Sequence, residues 1–383
     1  MTCASYINRI TSDLHLVTIM VLFLSLLGAN VSTAQSGVSI VYAPSKVIKH
    51  RENLRFDVPR RTNEFRLAYT FQTDGSVEWQ RYWKSPRIAI NALWVDFGDP
   101  QVLGHAIALL PELHFTLRDF GDLRLNMQFG TGIAYLNKPF NEVTNPLNNA
   151  IGSNLNNTSS LKFGFDYDWT PQWSTSISGG LVHFSNGLSS SPNSGINIYG
   201  LSLGTVYRFA APVKEPTDPL IETRSAEEPA YRKWIGDIQY HYGFTEHTTP
   251  GGPKFGVQAI SIGAGYRYSK YMTILAGGEY EYNDATYTYF SENFYTEAES
   301  RKRAQKTIAY IENEFRYGPV FNRFRLGFYL GWPADNNQNT YIKMVTGINL
   351  PKIANVAQPY IGVVLKTHTA VADYLAVMGG VRF

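Results

Sequence analysis

Long stretches of this chain alternate between apolar or aromatic residues and Gly, Ser, Arg, Gln or Asp, a period of two that suits extended strands with two unlike faces. Between 323 and 332, Phe324, Leu326, Phe328, Leu330 and Trp332 fall on one face, and Arg323, Arg325, Gly327, Tyr329 and Gly331 on the other. Segment 257–268 sets Ile260, Ile262, Ala264, Tyr266 and Tyr268 against Ala259, Ser261, Gly263, Gly265 and Arg267; segment 234–244 sets Trp234, Ile238, Tyr240, Tyr242 and Phe244 against Asp237, Gln239 and His241. These segments run 10–15 residues, with aromatics near their ends. A soluble sandwich has strands of about 5–6 residues and a mostly aliphatic inner face. A strand crossing a membrane needs about 9–11 residues and carries aromatic girdles at the bilayer edges. The pattern therefore predicts an all-β fold, an antiparallel transmembrane β-barrel of the outer membrane.

Composition closes off the other classes. Of 383 residues, 14% are aromatic and 17% charged, against about 25% charged in an ordinary soluble protein. Abundant Tyr, Phe, Ile and Leu exclude disorder, and a formal charge of +3, evenly spread, does not suit a nucleic-acid binder. One long apolar run exists, His15 to Ala29, preceded by Arg9 and followed by the small residues Ser32 and Ala34. It reads as a secretory signal over 1–34, directing Sec export to the outer membrane. Cys3, the sole cysteine, precedes that run and leaves with it. The mature chain then has no thiol for disulfides, nucleophilic catalysis or thiolate metal sites.

Strands are expected near 62–73, 78–84, 86–97, 103–117, 121–135, 160–169, 172–186 and 196–209, eight by Phe209 within a region 35–210. A Pro- and Glu-bearing periplasmic linker, 211–231, precedes up to eight more in 232–383: 232–246, 255–268, 271–283, 304–317, 321–332, 339–349, 357–367 and 371–383. With both termini periplasmic, the short turns at 118–121 and 169–172 face the periplasm and the long segments 136–157 and 284–303 face outward. The count suggests about 14–16 strands in one barrel, or alternatively an eight-stranded barrel plus a second β-barrel half. Residues 200–209 weakly parallel 259–268, which either duplication or generic strand composition explains. The last strand ends with Leu375, Val377, Val381 and Phe383 on one face. A terminal Phe there resembles the signal by which the outer-membrane assembly machinery recognises its clients.

One hairpin breaks the alternation. In 172–186 the apolar face carries Ile177, Gly179 and Leu181 and then runs into His183 and Ser185; the apolar face of the next strand, with Tyr199, Leu201, Leu203, Tyr207 and Phe209, begins at Asn197. Polar rim residues can be merely interfacial. A His and a Ser two apart on one strand face can also stand as base and nucleophile, as in serine acyl hydrolases. The other histidines, among them His105, His114, His241, His247 and His368, are unclustered and read as structural or lumenal.

The run His183-Phe184-Ser185-Asn186-Gly187, followed by Pro192-Asn193-Ser194-Gly195-Ile196-Asn197, resembles the signature of the PagL-type lipid A 3-O-deacylases, specifically a longer acyloxyacyl-hydrolase branch found in Bacteroidetes-type bacteria. The resemblance covers this hairpin closely, and the eight strands to Phe209 match the size of the family's small barrel. It implies a serine esterase acting on lipid A of the outer-leaflet lipopolysaccharide, with Ser185 as nucleophile, His183 as general base, and Asn186 and Asn193 as oxyanion donors. Gly187, Pro192 and Gly195 would shape the loop. No metal or other cofactor is implied. The family's acidic third member falls on Asn197, which can accept from the imidazole but cannot offset its positive charge. A rival expectation is a channel or binding barrel in which Arg208, Arg267, Arg323, Arg325 and Arg382 line a wide lumen.

Overall fold

The computed structural model describes residues 36–210, 233–246, 250–331, 339–354, 356–368 and 371–383. The expected leader 1–34, the linker 211–231, His247 and Trp332 lie outside them. Among the described residues, sixteen antiparallel strands form two closed barrels of eight, not one ring of 14–16. Each ring pairs its last strand with its first, so neither leaves an open edge whose N–H and C=O groups would meet lipid unsatisfied.

The first barrel comprises β1 (Ser36–Val47), β2 (Thr62–Gln72), β3 (Arg87–Asp96), β4 (His105–Asp119), β5 (Leu123–Leu136), β6 (Leu155–Asp168), β7 (Trp173–Ser185) and β8 (Ile196–Arg208). It closes through β1 and β8, from Gly37 opposite Arg208 to Val47 opposite Ile198. The membership differs from expectation at one strand. Segment 78–84 is not a strand but contains the short helix α1 (Glu78–Tyr82), ended by Lys84 and Ser85 in the left-handed region at φ 56° and 48°. β2 already pairs with β1 on one side and β3 on the other, so no ladder was open to it. The eighth strand is β1, whose alternation is masked by serines and Pro44.

Outward residues of this barrel are apolar and exposed, among them Ile40, Phe65, Leu67, Ile107, Phe163, Ile177, Leu201 and Leu203. Its lumen has two halves. Toward the starts of β3, β5 and β7 it is polar and paired: Arg66 meets Glu64 and Glu112, Lys162 meets Glu64 at 2.6 Å, and Arg87 meets Asp166 at 2.9 Å. Toward the outward rim it is apolar, packed with Val95, Phe97, Leu103, Leu136, Val182, Phe184, Ile196 and Ile198. An eight-stranded ring is just wide enough for side chains to fill it.

The second barrel comprises β9 (Trp234–Glu246), β10 (Lys254–Ser269), β11 (Met272–Asn283), β12 (Gln305–Tyr317), β13 (Val320–Tyr329), β14 (Thr340–Asn349), β15 (Gln358–His368) and β16 (Val371–Arg382). β16 closes onto β9, from Arg382 opposite Asp237 to Leu375 opposite Phe244. Helices α2 (Asp284–Glu292) and α3 (Glu297–Ala304) occupy the β11–β12 connection, capped by Asn283 and by a Thr296–Glu299 capping box. The lumen is a buried charge network. Arg323 binds Asp237 (3.1 Å), Glu312 (3.3 Å) and Glu314 (2.8 Å); Arg325 bridges Glu279 and Glu312; Lys343 and Lys366 bind Glu279 and Glu281; and Arg382 binds Glu314. Arg208 of the first barrel pairs with Asp168 at 3.1 Å. Of the arginines expected to line a wide lumen, Arg208, Arg323, Arg325 and Arg382 are thus locked to carboxylates inside filled barrels, and Arg267 on β10 is half-buried.

Candidate active site

The β7–β8 hairpin carries the polar residues that interrupted the alternation. Odd-numbered residues of both strands face outward, with Ile177, Leu181, Tyr199, Leu201 and Leu203 all exposed. Phe184, between His183 and Ser185, faces the other way, fully buried in the apolar half of the lumen against Phe97 at 5.5 Å, edge to face. That anchor fixes the end of β7, so its two polar neighbours must project outward.

His183 lies opposite Asn197 in the β7–β8 register. Its Nδ1 is 2.7 Å from Asn197 Oδ1, and its Nε2 is 2.9 Å from Ser185 Oγ. A carboxamide oxygen only accepts, so with Oδ1 toward the ring the imidazole proton sits on Nδ1. Nε2 is then bare and accepts the Ser185 hydroxyl proton. Ser185 is only 5% exposed, which shields that hydroxyl from bulk water. Gly195 is required beside this ring: it sits at φ +78°, and a Cβ there would come 2.8 Å from His183 Cε1.

The remaining expected site residues meet in the hairpin loop. Asn186 N–H donates to Asn193 Oδ1 at 3.1 Å, and Asn186 Nδ2 donates to Ser153 Oγ at 3.0 Å. In this state Asn193 therefore accepts through its oxygen, where the sequence had suggested donation alone. Gly187 takes the left-handed conformation, φ +65°. The β1–β2 connection braces the hairpin from the other side: Ile48 N–H donates to Asn197 O at 2.8 Å, and His50 Nε2 lies 2.8 Å from Ser194 O. The sequence offered no signal for His50, which stands alone in a loop. Of the other histidines, His114 and His241 are lumenal, beside Arg87 and Gln239, and His368 bonds Tyr329.

Three further polar residues share the outward face next to the site. Asn157 and Ser159 on β6 lie opposite Ser185 and His183, and Thr131 on β5 lies opposite Ser159. They form a closed set of hydrogen bonds. β6 begins at Leu155, earlier than expected, so Asn157 had been read as loop. The parity rule that singled out Ser185 would have found all three.

A closed antiparallel barrel with an apolar outer wall and a filled lumen defines an outer-membrane β-barrel, here with a hydrogen-bonded Ser–His–Asn chain at the rim of that wall. More particularly, residues 63–206, less than half of the chain, match the family model of the lipid A 3-O-deacylases (PagL). The match starts at β2 and ends within β8. No curated protein sequence matches the chain. Among solved structures it is similar to the outer membrane enzyme PagL (16% identity, 44% of this chain and 97% of that one, TM-score 0.30). It is also similar to Neisserial surface protein A (10% identity, 47% and 99%, TM-score 0.30) and to the translocator domain of autotransporter NalP from Neisseria meningitidis (8% identity, 99% and 98%, TM-score 0.19).

Proposed function

We propose that the protein is an outer-membrane serine esterase that removes an ester-linked acyl chain from lipid A. The observation that carries this reading is the hydrogen-bonded chain Asn197–His183–Ser185 on the lipid-facing wall, where a polar chain of this kind has no packing role. Lipid A occupies the outer leaflet with its esters just below the headgroups, so Ser185, at the outward end of β7, meets them at their own depth.

Ser185 Oγ attacks the ester carbonyl as its proton passes to His183 Nε2. The tetrahedral oxyanion is stabilised by donors at the hairpin, the Asn193 amide and the Asn186 backbone N–H once Asn193 Oδ1 releases it. Collapse forms the acyl-enzyme and expels the alcohol, which takes the proton from His183. Water, deprotonated by the same nitrogen, then releases the fatty acid and restores Ser185. Asn197 holds the ring in the tautomer this cycle needs.

The β1–β2 connection supports an anionic substrate. Lys46, Lys49, Arg55, Arg60 and Arg61 are exposed on or beside it, against Glu52 and Asp57, and such cations suit the phosphates of lipid A. Export through the leader 1–34, and assembly through the strand ending at Phe383, belong to the same proposal. Mass spectrometry of lipid A from cells producing the wild type or Ser185→Ala tests it. The wild type alone should yield lipid A short of one acyl chain, and identical acylation in both strains defeats the proposal.

A further inference from the structure

The ring of Thr131, Asn157 and Ser159 has a fixed direction. Asn157 Nδ2 is 3.0 Å from Gly132 O, which can only accept, so the amide nitrogen faces that carbonyl. The same nitrogen donates to Thr131 Oγ1 at 2.8 Å, and Asn157 Oδ1 accepts the Ser159 hydroxyl at 2.9 Å. Ser159 has then spent its one proton, so the 3.1 Å contact between Thr131 and Ser159 takes its proton from Thr131. Every side-chain donor of the three residues is consumed, within the set or on Gly132 O. Each of the three oxygens keeps acceptor capacity. All three residues are half-buried on the outward face, above exposed Leu161 and Phe163.

We propose that this ring is a substrate subsite that accepts a hydrogen bond from an O–H or N–H group carried by the lipid close to its scissile ester. The inference rests on the esterase reading above. Adjacent strands lie about 4.8 Å apart, and Asn157 and Ser159 are the direct cross-strand neighbours of Ser185 and His183. A donor on the substrate would therefore sit about 5 Å from the scissile carbonyl, roughly three or four bonds along. A hydroxylated acyl chain, or an amide N–H beside the ester, has that spacing. A plain fatty-acyl ester has acceptors alone to offer, and a ring without free donors cannot bind them.

The test uses the full-length protein in lipid nanodiscs with two probes, a fatty-acyl ester bearing a hydroxyl on its third carbon and the same ester without it. The wild type should favour the hydroxylated ester by about tenfold in kcat/KM, the value of one hydrogen bond. Thr131→Val and Ser159→Ala, checked for folding by heat-modifiable migration, should bring that ratio to within about twofold of unity. Equal cleavage by the wild type, of these two probes and of a third that carries an amide N–H beside its ester, overturns the subsite while leaving the esterase standing. Binding of both lipids to Ser185→Ala gives a readout without turnover. Equal binding there counts against the subsite, and preferential binding with no cleavage by the wild type keeps the subsite and removes the esterase.

Discussion

At the residue scale, the unusual choice is Asn197. It supplies the acceptor that holds His183 at 2.7 Å, but a neutral carboxamide gives no charge to stabilise the imidazolium formed when Ser185 is deprotonated. In a serine triad, exchanging the acidic member for its amide has cost about four orders of magnitude in kcat, chiefly through the wrong tautomer. Here the tautomer is the productive one, so a smaller deficit applies. Asn197→Glu should therefore raise kcat on lipid A at least about tenfold with little change in KM, and Asn197→Leu should lower it; steady-state kinetics with purified lipid A decides. Activity of either active form should rise with pH through the histidine range, because only the neutral imidazole takes a proton. A flat profile would argue against His183 as the base.

At the element scale, β7 does two jobs through its alternation. Its even positions fill the lumen and its odd positions face lipid, so Phe184 secures the two residues that flank it. Phe184→Ala would leave a cavity among Phe97, Val182 and Ile196 and should cost about 3–5 kcal/mol of stability. Urea unfolding in detergent reads that loss, and activity should fall further than the folded fraction does, since His183 and Ser185 lose their shared anchor. A variant of unchanged stability would mean that the apolar half of the lumen does not hold the strand end. The same element shows what was legible in sequence. His183, Ser185 and Asn197 were visible because they fell on the wrong parity of clearly periodic strands. Asn157 was hidden because β6 starts with Leu155-Asn156-Asn157-Thr158-Ser159-Ser160, a run polar on both faces that reads as loop. β1 was hidden likewise, and the helix at 78–82 carries aromatics enough to imitate a strand.

At the scale of the whole molecule, both lumens are filled, and in the second barrel by charge. Arg323 and Arg325 are at most 1% exposed, each held by two or more carboxylates. Paired charges that fill the lumen among the described residues oppose ion passage, so the protein in planar bilayers should show no steady anion conductance. Open channels of stable unit conductance would contradict the closed lumens. Removing one member leaves its partners buried and unpaired, the costly direction. Arg323→Leu should thus destabilise the second barrel by about 3–5 kcal/mol, read as a lowered denaturant midpoint.

The sequence by itself determined most of the strands, their two faces and the three polar residues on the wrong one, because side-chain alternation is a local consequence of the extended backbone. Only the tertiary structure decided that sixteen strands close as two rings, and that Thr131, Asn157 and Ser159 stand beside Ser185. Closure and cross-strand neighbours depend on register between segments far apart in the chain, which no local period encodes.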